Sequence, residues 1–191
     1  SAPTVTLGTS ASTVYDSGSD LTLTATLSGA TYESTVVDLA GTGATEGTDY
    51  ASISNITVSA GNTTGTTAFN PTDDSHYDAA SAESATVYIS GVSGGAATES
   101  GTQTLAIAIT DNENAPTVSL SSSANTVADS ASDLTITATL SHTTYATTTV
   151  LIDGTAGAAT EGTDFAVVSD ITVSANATTG TTAFNPTPST S

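Results

Sequence analysis

Apolar and polar residues alternate along this chain. "LTLTATL" at 21–27 and "LTITATL" at 134–140 put Leu, Ile and Ala on one face and Thr on the other. That is the period-2 signature of a half-buried strand. "ATVYISGV" (85–92) and "TLAIAIT" (104–110) read as further strands. Thr suits the wet face, because a β-branched side chain fits a pleated surface. No stretch sustains a 3.6-residue period, so the fold class is all-β. Clusters of Gly, Asn, Asp and Ser separate the strands, about seven per 110 residues, the spacing of a β-sandwich.

The pattern occurs twice. "APTVTLGTSASTVYDSGSDLTLTATLS" from Ala2 matches "APTVSLSSSANTVADSASDLTITATLS" from Ala115, at an offset of 113. A two-residue insertion near 151–158 raises the offset to 115, which holds through "ITVSAGNTTGTTAFNPT" (56–72) and "ITVSANATTGTTAFNPT" (171–187). The repeats are 1–113 and 114–191, and the second is incomplete. It stops at "NPTPSTS", where the first continues through "ATVYISGV" and "TLAIAIT". A sandwich without those strands exposes core and strand edges. Three readings stand: a longer array supplies them downstream, a neighbouring subunit donates them, or this end is partly unfolded.

Composition narrows the function. The chain has 191 residues, 19 of them acidic, and no Lys, Arg, Cys, Met or Trp. No salt bridge to Lys or Arg can form, so carboxylates must meet solution cations or stay apart in water. Binding to nucleic acid or to an anionic lipid surface needs basic residues that are absent. Disulfides and thiolate metal sites are excluded as well. No apolar run approaches the roughly 20 residues of a membrane span, so no membrane insertion is expected. "SAPTVTL" lacks the basic start and apolar stretch of a signal peptide, which suits a mature product or an excerpt. Acidic, Thr- and Ser-rich composition can mean disorder, but 37% apolar content in alternating order argues for folded strands.

Candidate chemistry lies in the acidic loops. "GATEGTDY" (43–50) recurs as "AATEGTDF" (158–165), and "PTDDSHYD" (71–78) and "ITDNENAP" (109–116) complete the set. Together these residues resemble the Calx-beta repeat, known from a sodium–calcium exchanger's regulatory region and from large bacterial surface proteins. The resemblance covers nearly the whole chain and implies tandem Calx-beta, immunoglobulin-like Greek-key β-sandwiches with calcium in loops at one end. Carried over by position, it implies metal ligands at Asp16, Asp49, Asp73, Asp74, Asp78 and Asp111, with Glu113. Asp16 and Asp78 stand where the family commonly has Glu, and His76 and Tyr77 interrupt its acidic stretch. The second copy offers Asp129 and Asp164, a partial site only. Calcium fits such a set, since it takes hard oxygen ligands in flexible loops. "DNEN" is also the junction between repeats, where an ion could stiffen the joint.

Each loop also has a plainer reading. Gly47 allows a sharp turn, Asp49 stands at its tip, and Tyr50 or Phe165 can tuck back under the sandwich. "ATEGTDY" would then be a turn whose Asp and Thr bond backbone amides. Ser75, His76 and the nearby Asp residues contain the letters of a triad, but neighbours in an extended chain point to opposite faces. No "GxSxG" elbow is present, and sugar-stacking aromatics are scarce, so no enzyme is expected. Zinc would need more than His76 and His142, which sit in separate copies. Asn55, Asn62 and Asn176 match the glycosylation sequon, a triplet common by chance in a Thr-rich chain.

The sequence therefore predicts a structural component of an extracellular, cell-surface fibre, stalk or filament, built from calcium-binding repeats. Its expected partners are neighbouring repeats or copies of the same chain. High negative charge opposes clumping, and trypsin finds no Lys or Arg to cut after. The alternative is a calcium-dependent adhesin module that binds a glycan or a partner protein.

Overall fold

A computed structural model describes residues 1–78, 83–154 and 157–188. The insertion near 151–158 and the end of "NPTPSTS" fall partly outside these residues. The chain divides into two compact units: residues 1–74 with 80–112, and residues 75–79 with 113–191.

In the first unit the strands are β1 (Thr4–Thr9), β2 (Thr13–Tyr15), β3 (Leu21–Leu27), β4 (Thr35–Gly43), β5 (Ile56–Val58), β6 (Thr64–Phe69), β7 (Glu83–Ser93), β8 (Thr98–Glu99) and β9 (Thr104–Thr110). They form two sheets, ordered β6-β3-β1-β8 and β2-β9-β7-β4-β5. Every connection but β4→β5 crosses between the two sheets, in the manner of an immunoglobulin-like Greek-key sandwich. The alternation read at 21–27 is the observed burial pattern of β3, with Leu21, Leu23, Ala25 and Leu27 inside. These pack with Val5 and Phe69 of the same sheet, and with Val37, Val87 and Ile107 of the other, in one core. Each such side chain contributes about 1.5–3 kcal/mol by leaving water.

Two short strands escape a reading of periodicity. β2 and β8 pair in parallel with β9 and β1 respectively. At two or three residues they carry no period of their own, and the neighbouring edge defines them.

The second unit repeats part of this plan. β10 (Val118–Ser122), β11 (Leu134–Leu140) and β14 (Thr179–Phe184) form one sheet, and β12 (Thr148–Val150) pairs with β13 (Ile171–Val173). Ala138, Leu140, Ile171 and Val173 join the two sheets in a small buried cluster. Among the described residues no strand stands where β7, β8 and β9 stand in the first unit. Residues 75–78 lie with this unit: the Tyr77 amide donates to the Thr143 carbonyl at 3.0 Å, and His76 stacks on Tyr145 with centroids 4.9 Å apart.

Candidate metal site

The acidic residues of the first unit converge because of strand register. β2 runs parallel to β9 with Tyr15 opposite Thr110, and the Asp16 amide donates to the Thr110 carbonyl at 3.0 Å. Asp16 and Asp111, each the residue after its strand, therefore emerge side by side. Their carboxylate oxygens lie within 4.8 Å of one another, and both residues are half-buried. Asp73 and Asp74, in the exposed loop that follows β6, lie near enough to raise the Asp16 carboxyl by their charge.

Electrostatics mark the cluster. Burial pushes the Asp16 carboxyl above its ordinary 3.8, the Ser17 amide pulls it down, and Asp111, Asp73 and Asp74 push it up again. The Ser17 N–H donates to Asp16 Oδ1 at 2.8 Å. Two like charges at 4 Å repel by about 1 kcal/mol in water and about 4 at an effective dielectric constant of 20. With no Lys or Arg in the chain, a fixed basic side chain cannot offset that repulsion.

Asn112 is the residue that sequence reasoning missed. Its Nδ2 donates to Asp73 Oδ1 at 3.4 Å and also to Ser17 Oγ. It ties the β6 loop to the β2 turn, and its amide is a neutral donor in a field of acceptors. The signal lay in "DNEN", read for its acids alone.

The remaining candidates are placed differently. Asp49 Oδ2 accepts the Thr45 amide at 2.5 Å, and the Asp49 amide donates back to the Thr45 carbonyl at 2.9 Å. Gly47, at φ +87°, makes the turn, and its amide donates to the Tyr50 carbonyl at 2.7 Å. Thus at least one Asp49 oxygen closes its own loop. Tyr50 is buried and stacks on Phe69 at 4.9 Å. Burial pushes its hydroxyl above the ordinary 10.0, with Glu46 and Asp49 adding to the effect.

The second unit copies this loop. Asp164 Oδ2 accepts the Thr160 amide at 2.7 Å, Gly162 takes φ +80°, and Phe165 stacks on Phe184 at 4.8 Å. Asp129 is exposed between β10 and β11. By the repeat offset, Pro188 stands where the first unit has Asp73. Asp78 falls in the stretch that lies with the second unit, and Glu113 is the second unit's residue just after Asn112. The first unit's own ligand candidates are therefore Asp16, Asp73, Asp74 and Asp111.

The sequon residues differ among themselves. Asn55 Nδ2 donates to Asp38 Oδ1 at 2.6 Å while its Oδ1 accepts the Leu39 amide at 3.2 Å. Its side chain thus braces β4. Asn62 and Asn176 are exposed at turns, and Asn176 has φ +62°.

No protein-family model matches the chain, and no curated protein matches it. Among solved structures it is similar to the crystal structure of CBD12 from CALX1.2, with 13% identity and a TM-score of 0.48, over 95% of this chain and 74% of that one.

Proposed function

We propose that the chain is a non-enzymatic structural component of an extracellular fibre, stalk or filament, whose β-sandwich repeats bind calcium. The observation that carries the reading is that Asp16 stands beside Asp111 and within the field of Asp73 and Asp74, in a chain without Lys or Arg. The donors are carboxylates on loops, hard oxygen ligands that suit calcium and not a softer metal.

Bound there, a divalent cation would neutralise charge that now opposes folding. Asp16 and Asp111 would hold it from the paired ends of β2 and β9, with Asp73 and Asp74 closing from the β6 loop. Asn112 keeps that loop and the β2 turn together. Because Asp111 is the last acid before the chain enters the second unit, ordering this end would stiffen the stretch from which the chain continues. Thr on the wet faces of the strands keeps such a fibre hydrated, and the net charge of −19 opposes clumping.

The test is thermal unfolding at fixed ionic strength, with calcium, with magnesium and with chelator. Calcium at 100 times its dissociation constant should stabilise the first unit by about 2.7 kcal/mol, and magnesium by much less, because it dehydrates reluctantly. Asp111→Asn and Asp73→Asn should each remove most of that gain. An identical melting point in calcium and chelator would sink the reading.

A further inference from the structure

We infer that the corner 30–32 of the first unit is a docking site for the loop after β6 of a repeat that precedes it in a tandem array. The second unit carries the same corner with an occupant in place. Thr31 and Thr144 correspond at the repeat offset, and they are 7% and 5% exposed. Thr31 Oγ1 donates to the Glu33 carbonyl and Thr144 Oγ1 to the Ala146 carbonyl, each at 2.6 Å. The Thr31 carbonyl accepts the Gly61 amide at 2.8 Å, and the Thr144 carbonyl accepts the Asn176 amide at 2.9 Å. The same bonds therefore build the corner in both units.

What differs is the cover. In the second unit residues 75–78, which follow β6 in the sequence, lie along residues 143–145. Tyr77 stands opposite Thr144 in a parallel bridge. The Tyr77 amide donates to the Thr143 carbonyl at 3.0 Å, and the Tyr145 amide donates to the Tyr77 carbonyl at 3.3 Å. His76 completes the contact by stacking on the Tyr145 ring. In the first unit the matching groups are the Ala30 carbonyl, the Tyr32 amide and the Tyr32 ring. Among the described residues no hydrogen bond reaches that carbonyl or that amide. The Tyr32 ring is 105% exposed, against 46% for Tyr145. A tyrosine offers much apolar area at a polar boundary, which is why it recurs at interfaces.

The occupied corner specifies the occupant. It is an extended segment with a flat ring, followed by a residue whose amide and carbonyl both face the corner. That second residue is not Pro, which lacks the donor. The segment seated on 143–145 belongs in sequence to the repeat immediately ahead. Translation by one repeat therefore puts the loop of a preceding repeat on 30–32, while this chain's own 75–78 is already engaged. Glu33 stands where the second unit has Ala146, which disfavours acids beside the incoming ring. The inference rests on the array reading of the proposed function, and not on its calcium site.

The experiment places a second copy of residues 1–113 directly ahead of Ser1 in the full chain, which reproduces the repeat offset. Two hydrogen bonds and a ring stack are weak alone, and the covalent link supplies an effective concentration on the order of millimolar. Tyr32→Phe in the added copy leaves a single Tyr32 amide, whose hydrogen exchange is followed by NMR with labelled tyrosine. In the unextended chain the Tyr145 amide should exchange about tenfold or more slowly than the Tyr32 amide. The extension should slow Tyr32 to the Tyr145 rate. His76→Ala in the added copy should weaken that protection, and Tyr77→Pro there should abolish it. Tyr32 exchange unchanged by the extension, both with and without Glu33→Ala beside it, overturns the proposal. So does protection that survives Tyr77→Pro. Protection in the unextended chain that grows with its concentration overturns it too, since a second molecule would then hold the corner. The comparison is made in calcium and in chelator, so that its failure is distinct from failure of the calcium site.

Discussion

The two units set the same side chains in two environments. Phe69 is fully buried beneath Tyr50, while Phe184, stacked in the same way on Phe165, is half-buried. Leu21 and Leu23 are buried, whereas Leu134 and Ile136 are half-buried. Yet the corner made by β5 and β6 in one unit and by β13 and β14 in the other is complete in both. Ile56, Val58, Ile171 and Val173 are each 0% exposed. The difference teaches that a corner where the chain crosses from one sheet to the other carries its own packing, whereas a sheet face depends on whatever lies opposite.

The largest effect expected from that contrast is at the stacked aromatics. Phe69→Ala should cost the first unit about 3–5 kcal/mol, the usual penalty for a buried Phe. Phe184→Ala should cost the second unit well under half as much, because the ring already meets water. Denaturant unfolding followed by hydrogen exchange in 21–27 and 134–140 separates the two. Equal losses would mean that the second face is covered in solution.

A smaller effect should be the same in both units. Asp49→Ala and Asp164→Ala each remove the acceptor of a loop amide, at Thr45 and Thr160. Each should cost about 1.5–3 kcal/mol, the penalty for losing a hydrogen bond to a charged group. Unfolding midpoints of the single variants check this. A much larger loss at Asp49, in calcium alone, would make its carboxylate a ligand as well as a turn former.

The smallest effect is on pH dependence and belongs to the first unit. The folded Asp16 carboxyl is held above its ordinary 3.8, chiefly by burial and then by Asp111, Asp73 and Asp74. The folded state therefore binds its proton more tightly than the unfolded chain does. Stability is fullest below the unfolded value and is lost as pH rises through the folded one. In chelator, melts between about pH 3.5 and 7 should show this loss, and Asp16→Asn should flatten it. Calcium, which favours the ionised form, should reverse the slope.

The strands at 21–27, 104–110 and 134–140 were legible because a half-buried strand writes its burial as a two-residue period. "ATVYISGV" extends to Glu83–Ser93 in β7, since β9 pairs Glu83 and Ser84 at one end and β4 pairs Ser93 at the other. The tucked aromatic of "TEGTDY" was legible too, because a Gly turn followed by a large apolar ring has one dry side to choose. The part played by Asp49 was not. A carboxylate that closes a turn and one that waits for a cation have the same letters, and only the Thr45 amide distinguishes them. Asn112 was passed over because a neutral amide in an acidic loop carries no pattern.

The sequence by itself determined the all-β class, the twofold repeat, the residues of each core face and the lack of any Lys or Arg to partner the carboxylates. These follow from local periodicity and composition, which every segment carries within itself. Only the tertiary structure decided that Asp16 and Asp111 stand together, because that rests on the parallel pairing of β2 with β9, strands more than ninety residues apart in the chain. It also decided that Val118 and Leu120 lie open while Val5 and Leu7 are covered. Burial belongs to a pair of faces, and a single strand's sequence specifies one of them.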